Sequence, residues 1–208
     1  ARTLAEVEEV VAECIADSDQ PFVEFFLPKE QLSLEVDRWD YFGSAIGDMF
    51  SVVVRVRERS AGRLPRQFLN NWRAVSARIR RAIDSGLPQK IYWPTNAEQS
   101  PGKLMPHILN NDYGACVAFS AAPEAKALEA TLFGGAPFAV WPRQPADDEA
   151  HDAEKFKRAV NAKFRKGHFN RFPDGVRALR HAGDSGSDLT LLCDEPTRNP
   201  LGKFTLLD

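Results

Sequence analysis

The sequence has few cysteines, no long apolar run and little net charge, and each shortage argues against a class of protein. Its 208 residues include three cysteines, none in a CxxC pair, so a structural zinc site is not expected. No apolar run approaches the ~20 residues that a membrane helix needs. A formal net charge of -2 gives no electrostatic argument for binding nucleic acid or an acidic membrane surface.

The N-terminal stretch, ARTLAEVEEVV, is acidic and lacks the basic and apolar regions of a secretory signal peptide. With so few cysteines, this predicts a cytoplasmic protein. Apolar residues at helical spacing, and the capping-box pair Thr3 and Glu6, predict a helix from Thr3 to Ala16. Because the chain begins with alanine, we expect it to be part of a longer polypeptide. We assign residues 1–20 to an N-terminal helix or linker and residues 21–208 to one domain.

Short apolar runs alternate with amphipathic stretches from Phe22 onward. This alternation predicts an α/β fold with a mostly parallel, Rossmann-like sheet and helices on both faces. The predicted strands are 22–27, 50–56, 91–93, 115–119, 138–141 and 189–193, and the predicted helices are 64–83, 104–109, 123–133, 152–166 and 174–181.

The run Leu189 to Cys193 is followed by two acids, a proline and an arginine. Because it lacks alternation, it is typical of a strand buried on both faces. Its carboxyl end would present Asp194, Glu195 and Arg198 where open α/β sheets bind ligands and partners. The two carboxylates could hold a cation or orient a water. Alternatively, Arg198 pairs with one of them and closes the loop; we favour this pairing and predict no metal site.

Arg38 and Trp39 are residue types enriched at binding hot spots. The alternative is that Trp39 covers an edge of the sheet while Arg38 lies in an internal ion pair. Arg55, near the end of its predicted strand, could meet Asp37 or Asp194 in a buried ion network that specifies the fold. The predicted partner-binding residues are Arg38, Trp39, Asp194, Glu195 and Arg198.

Cys116 and His107 are the candidate nucleophile and base of a hydrolase, because a thiol at a strand with an upstream histidine resembles a caspase dyad. However, the caspase signature is missing around Cys116, so an inert, buried thiol is the favoured interpretation. A hydrolase could instead use Asp194 and Glu195. The glycine-bearing turns at 42–48 and 134–135 lack Walker or dinucleotide spacing, so no cofactor is predicted.

The densest positive region begins in the predicted helix 152–166 and continues beyond it. Aromatic residues interleave with its basic residues, and such a surface can bind phosphates. Acidic residues just upstream balance the charge, so we favour a solvated helix face and keep nucleic-acid sensing as an alternative. The residues that would carry this alternative are Lys163, Arg165 and Lys166.

Several segments together resemble the C-terminal domain of the bacterial proteins associated with von Willebrand factor A domains and MoxR-type ATPases (VMAP-C). Their order and spacing carry the resemblance, which extends from Phe22 to Pro200. The segments are FVEFFLP, LSLEVDRW, FSVVVRVRERS, the helix that contains Trp72, CVAFSAAP, LFGGAPFAVWPR and LTLLCDEPTRNP.

The resemblance implies an α/β domain of bacterial conflict or defence systems, without an established catalytic role. Its expected partners are effector or sensor protein modules, such as a protease, in the same polypeptide or separate. The chain departs from the family at its last strand, where Cys193 and Asn199 stand in place of tryptophan and an aliphatic residue. If the tryptophan closes a pocket in relatives, that pocket is altered here.

Overall fold

The structure, a computed structural model of the chain, describes residues 22–86, 90–110, 116–143, 149–164, 172–181 and 188–196. Its strands form where apolar and β-branched residues cluster, as in the valine-rich segment that precedes Arg57. The strands are β1 (Phe22–Leu27), β2 (Asp40–Tyr41), β3 (Ser44–Ala45), β4 (Ser51–Val56), β5 (Ile91–Tyr92), β6 (Cys116–Ala118), β7 (Phe138–Pro142) and β8 (Leu189–Cys193).

The helices follow the amphipathic stretches of the sequence. They are α1 (Ile46–Met49), α2 (Arg57–Ser60), α3 (Arg66–Asp84), α4 (Pro101–Asn110), α5 (Ala125–Phe133), α6 (Glu149–Phe164) and α7 (Phe172–His181). Short 3₁₀ turns lie at Lys29–Gln31, Val36–Arg38 and Asn96–Glu98. Helix α3 begins after Pro65, a residue that suits a helix start because it lacks an N–H to satisfy.

Within the described residues, six strands form one sheet in the order β1-β4-β8-β7-β6-β5, and β2 and β3 form a separate hairpin. In the six-stranded sheet, neighbouring strands are parallel except for β7 and β8, which are antiparallel. The predicted α/β fold with a mostly parallel sheet is therefore confirmed. The predicted N-terminal helix, Thr3 to Ala16, lies outside the described residues.

The antiparallel pair at the centre divides the strand ends between two ends of the sheet. The Asp194 end contains the carboxyl ends of β1, β4 and β8 and the amino ends of the other three strands. The Asp37 end contains the opposite termini of the same strands. Charged residues that follow different strands can therefore lie at opposite ends, which a fully parallel sheet would not allow.

The core surrounds the central strands β4 and β8, all of whose residues are buried. Helices α3, α4 and α5 contact one another, whereas α7 contacts α1, α6, β4 and β8. Burial on both sides explains why β8 has no polar alternation. The connection between β1 and β4 leaves the sheet and contains two 3₁₀ turns, the β2–β3 hairpin and α1; we call residues 28–50 the excursion.

Candidate functional site

The Asp194 end of the sheet contains a buried cluster of charged side chains. The Asp194 carboxylate, directly after β8, lies between two guanidinium groups. Its Oδ1 accepts a hydrogen bond from Arg55 Nε at 3.3 Å, and its Oδ2 accepts one from Arg59 Nη1 at 3.2 Å. All three side chains have no exposed surface. The paired charges and hydrogen bonds compensate for the hydration that each group loses.

Arg55 links Asp194 to the edge strand β1. Its Nη1 donates to Glu24 Oε2, and its Nη2 donates to the backbone carbonyl of Glu195, both at 3.0 Å. The guanidinium also lies over the ring of Phe26, 5.1 Å from the ring centroid. These contacts hold β1, β4 and the segment after β8 in one arrangement.

Arg59 links the same carboxylate to α5. Its guanidinium donates to the carbonyls of Leu132 and Ala136, at the C-terminal end of that helix, where the helix dipole favours a cation. The Trp72 ring lies 5.4 Å from the guanidinium, and the Trp72 indole N–H donates to the backbone carbonyl of Asp194. Burial lowers the pKa of Arg59, and the Asp194 charge opposes that effect.

The neighbouring carboxylate is closer to solvent. Glu195 forms an ion pair with Arg80 of α3, and their side chains are 21% and 46% exposed. Arg198, predicted to pair with one of the two acids, lies outside the described residues, so that pairing stays a prediction. In the described part of the chain, Asp194 is paired with Arg55 and Arg59 and Glu195 is paired with Arg80. Both carboxylates of the Asp194–Glu195 pair are therefore engaged in ion pairs.

The Asp37 end contains a second buried ion network. Asp37 is 4% exposed and accepts a hydrogen bond from Arg143, while Arg180 Nε lies 3.0 Å from its Oδ2. Arg143 also donates to Thr190 Oγ1 at 3.0 Å, and its Nη1 lies 3.6 Å from Asp188 Oδ1. Burial lowers the pKa of Arg180 to about 10, and Asp37 opposes that effect. The network fastens the excursion to β8, to α7 and to the residue after β7.

Of the two acids considered for Arg55, the structure brings Asp194 to it and places Asp37 at the other end of the sheet. The sequence analysis did not identify Arg59, Arg143 and Arg180 as network residues. A signal was present for Arg143, which directly follows the apolar run FAVWP, whereas Arg59 and Arg180 lie in stretches of mixed polarity. Their partners could not be read from the sequence, since Arg59 and Asp194 are 135 residues apart.

Arg38 and Trp39 lie on the surface of the excursion. The Trp39 ring packs edge-on against Phe25 of β1, with ring centroids 5.2 Å apart, and is still 36% exposed. Trp39 therefore packs on a side chain of β1, an edge strand of the described sheet, and also faces solvent. Arg38 is 46% exposed and forms ion pairs with Glu35 at 3.0 Å and with Asp188 at 3.2 Å.

Trp39 belongs to a larger group of exposed apolar side chains on the excursion. Leu34 is 44% exposed, Phe42 is 75% exposed and Met49 is 42% exposed. In the described ranges, these three residues and Trp39 are the large apolar side chains that reach this level of exposure. We call these four residues, which are grouped by their nearness in the sequence, the apolar patch.

Phe42 occupies an unfavourable backbone conformation at the tip of the β2–β3 hairpin. Tyr41 pairs with Ser44, so the loop consists of Phe42 and Gly43. Both have positive φ, +50° and +80°, as in a type I′ turn, in which asparagine is preferred at the first position. A bulky residue with positive φ is strained. The Phe42 ring packs on Tyr41, whose ring in turn contacts Phe50, so the exposed ring is held in place.

The candidate nucleophile Cys116 is buried in β6. Burial raises the pKa of its thiol well above the usual value, with a further contribution from Cys193. A nucleophilic thiol requires the opposite shift, which a nearby cation or a helix N terminus provides. His107 lies on α4, where its ring stacks on Tyr92 at 4.0 Å between centroids. The thiol therefore has the environment of a structural cysteine.

A surface cleft of about 360 Å³ lies between the 3₁₀ turn at Lys29–Gln31 and α5. An ion pair between Lys29 and Glu129 spans it at 2.7 Å, and the hydrogen bond to Glu129 raises the pKa of Lys29. No residue predicted as catalytic lines the cleft. It is therefore not connected with the hydrolase alternative.

The remaining sequence predictions concern nucleic acid, metals and membranes. Lys163 is exposed on α6, whereas Arg165 and Lys166 lie outside the described residues, so the basic surface stays a prediction. Among the residues that the structure describes, no three His, Cys, Asp or Glu side chains are placed to share a metal ion. In the same ranges, every helix is too short or too polar to cross a bilayer.

Comparison with known proteins adds one match. The family described as vWA-MoxR associated protein C-terminal domain matches residues 1–196, which is most of the chain. The chain matches no curated protein and no solved structure.

Proposed function

Because this chain belongs to the vWA-MoxR associated protein C-terminal domain family, we propose that it is a non-catalytic interaction domain of a prokaryotic defence protein. In this role it docks a partner protein and couples recognition to an effector, such as a protease module. The partners would be effector or sensor modules, with the vWA and MoxR proteins as the first candidates.

The observation that carries this proposal is the apolar patch. Exposed apolar residues scattered singly over a surface need no explanation, but four of them within one connection make that connection the candidate interaction site. Leu34, Trp39, Phe42 and Met49 lie within one connection between two strands. The strained backbone of Phe42 supports the same conclusion, because strain persists where function requires it.

The charged strand ends support a non-catalytic role. At the Asp194 end, Asp194, Arg55 and Arg59 are sealed from solvent and paired with one another. A reacting group needs access to its substrate, and these side chains have no exposed surface. We therefore assign Asp194 to holding the docking domain together; Arg38 and Trp39 on the excursion, and Glu195 at the Asp194 end, are the predicted contact residues that solvent reaches.

The chemistry of the patch indicates the kind of partner that it binds. Asp40 is exposed next to Trp39 in the sequence, whereas the nearby Arg38 is paired with two acids. An apolar surface with an acidic rim is complementary to an apolar segment flanked by lysine or arginine. Partner binding should accordingly weaken as salt concentration rises.

Phe42→Asn provides the sharpest test, because binding and stability should change in opposite directions. Asparagine relieves the strain of the left-handed position, so we expect the free energy of unfolding to rise by about 1 kcal/mol. Loss of the exposed ring should weaken binding to the purified vWA or MoxR protein of the same genome at least tenfold, the effect of losing a hot-spot aromatic. If Phe42→Asn lowers the unfolding midpoint and leaves binding unchanged, the ring is structural and the proposal fails.

Trp39→Ala and Trp93→Ala form a matched pair at opposite edges of the sheet. Each tryptophan packs edge-on against a phenylalanine, Trp39 on Phe25 and Trp93 on Phe156. Both variants should lose some stability, and we expect Trp39→Ala alone to weaken partner binding. Equal loss of binding in the two variants would show that binding follows stability rather than the patch.

A further inference from the structure

Helix α3 carries three exposed arginines at a spacing of seven residues. Seven residues are close to two helical turns, so Arg66, Arg73 and Arg80 follow one row with about 10.5 Å between neighbours. Two further exposed arginines, Arg63 and Arg81, lie beside its ends. We call Arg66, Arg73 and Arg80 the arginine row.

These charges are not explained by helix formation. Arg66 is the first residue of α3, and the first turn contains no acid, although the helix dipole favours acids there. Asp84 is the one acid in the sequence of α3, whereas a solvated helix face normally alternates charges in i, i+4 pairs. A helix selected for stability alone would not concentrate one sign of charge in this way.

Arg80 of the row forms an ion pair with the carboxylate of Glu195. A carboxylate is therefore a group that an arginine in this row binds. Arg66 and Arg73 form no ion pair with any residue inside the described ranges. All five basic residues of α3 are arginines and none is lysine. A guanidinium binds a carboxylate through two parallel hydrogen bonds, which an ammonium group cannot do.

We propose that the arginine row binds an acidic segment of a partner protein, whose carboxylates pair with Arg66 and Arg73. A helix with glutamate at every seventh position has the same repeat of about 10.5 Å. Phosphates also fit guanidinium groups, so an oligonucleotide is compared with the acidic peptide in the test below. The row shares no residue with the apolar patch, so this inference does not depend on the proposed function.

The test uses a fluorescent, alanine-based helical peptide with three glutamates at seven-residue spacing, and a second peptide with glutamine in their place. Binding to the chain is measured by anisotropy at low and at high salt. In the chain, Arg66→Gln combined with Arg73→Gln removes two charges of the row, and Lys103→Gln combined with Arg158→Gln removes two exposed charges outside α3 as a control. The unfolding midpoint of each variant is measured beside its affinity.

We expect the glutamate peptide to bind and the glutamine peptide not to bind. The row variant should weaken binding about 2- to 30-fold, the range that two exposed arginine–carboxylate pairs provide. The control variant should leave affinity unchanged, and the unfolding midpoint should be the same in all three chains.

Three results would overturn the inference. The first is equal affinity of the wild type and the row variant for the glutamate peptide. The second is tighter, row-dependent binding of a single-stranded oligonucleotide, which would assign the row to nucleic acid. The third is a wild-type dimer in sedimentation that becomes a monomer in the row variant, which would make a second copy of this chain the occupant.

Discussion

Replacing Asp194 by asparagine tests whether the buried cluster at the Asp194 end holds the fold together. The variant keeps the side-chain volume but removes the negative charge that lies 3.3 Å from Arg55 and 3.2 Å from Arg59. Arg55 would keep Glu24, which is 16% exposed, whereas Arg59 would keep two backbone carbonyls and the Trp72 ring but no anionic partner among the described contacts. Without the Asp194 charge, the pKa of Arg59, already lowered by burial, would fall further.

The expected loss of unfolding free energy follows from the burial of the ion pairs that Asp194 forms. Removing one member of a fully buried ion pair costs about 3–5 kcal/mol, a large part of the ~5–15 kcal/mol by which a domain is stable. In urea, with a slope of about 2 kcal/mol/M, the unfolding midpoint should fall by about 1.5–2.5 M. The matched control is Glu195→Gln, the same chemical change one residue later. Its partner Arg80 is 46% exposed, so the loss should be below about 1 kcal/mol.

A double-mutant cycle shows whether the loss comes from the pairing. Arg59→Met removes one buried cation, so in the Asp194→Asn background it should be less harmful than in the wild type, with a coupling of about 1–3 kcal/mol. The reasoning is refuted if Asp194→Asn and Glu195→Gln lower stability equally. If Asp194→Asn instead retains stability and loses partner binding, Asp194 is a contact residue.

Two further predictions concern a glycine and the buried thiols. Gly135 has φ +90°, and a Cβ there would lie 2.6 Å from the backbone carbon of Asn71, whereas Gly86 has φ +67° and open space around it. We therefore expect Gly135→Ala to lower the free energy of unfolding by about 2–4 kcal/mol and Gly86→Ala by about 1 kcal/mol, measured by urea denaturation; equal losses would contradict the close approach of the two backbones. In a Cys14→Ser variant, Cys116 and Cys193 should resist a thiol-specific reagent in native buffer and react in concentrated guanidinium. Rapid reaction of Cys116 with the reagent in native buffer would contradict the assignment of an inert thiol and support the hydrolase alternative.

The strands and most helices could be predicted from the sequence because their signals are local. The runs Phe22–Leu27 and Leu189–Cys193 form β1 and β8 with the predicted bounds. The long amphipathic stretch that contains Trp72 forms α3 within two residues of its predicted ends. The excursion lacked such a signal, because its hairpin strands contain two residues each and its helical segments one turn.

The candidate site was predictable only in part. Trp39 is exposed where hot-spot composition had predicted a contact surface, but Phe42 was treated only as part of a glycine-bearing turn. Its role depends on a positive φ at a hairpin tip, which requires knowing that Tyr41 and Ser44 pair. Likewise, the sequence offered two partners for Arg55 and could not decide between them.

The sequence by itself determined the elements, the alternation that makes the fold α/β, and the family. The tertiary structure alone decided that β8 runs antiparallel to β7, and with that, which charges meet. Arg55 and Asp194 are 139 residues apart, and their contact depends on the direction in which the last strand enters the sheet. Strand direction is set by how the whole chain buries its apolar surface, and no local pattern of residues encodes it.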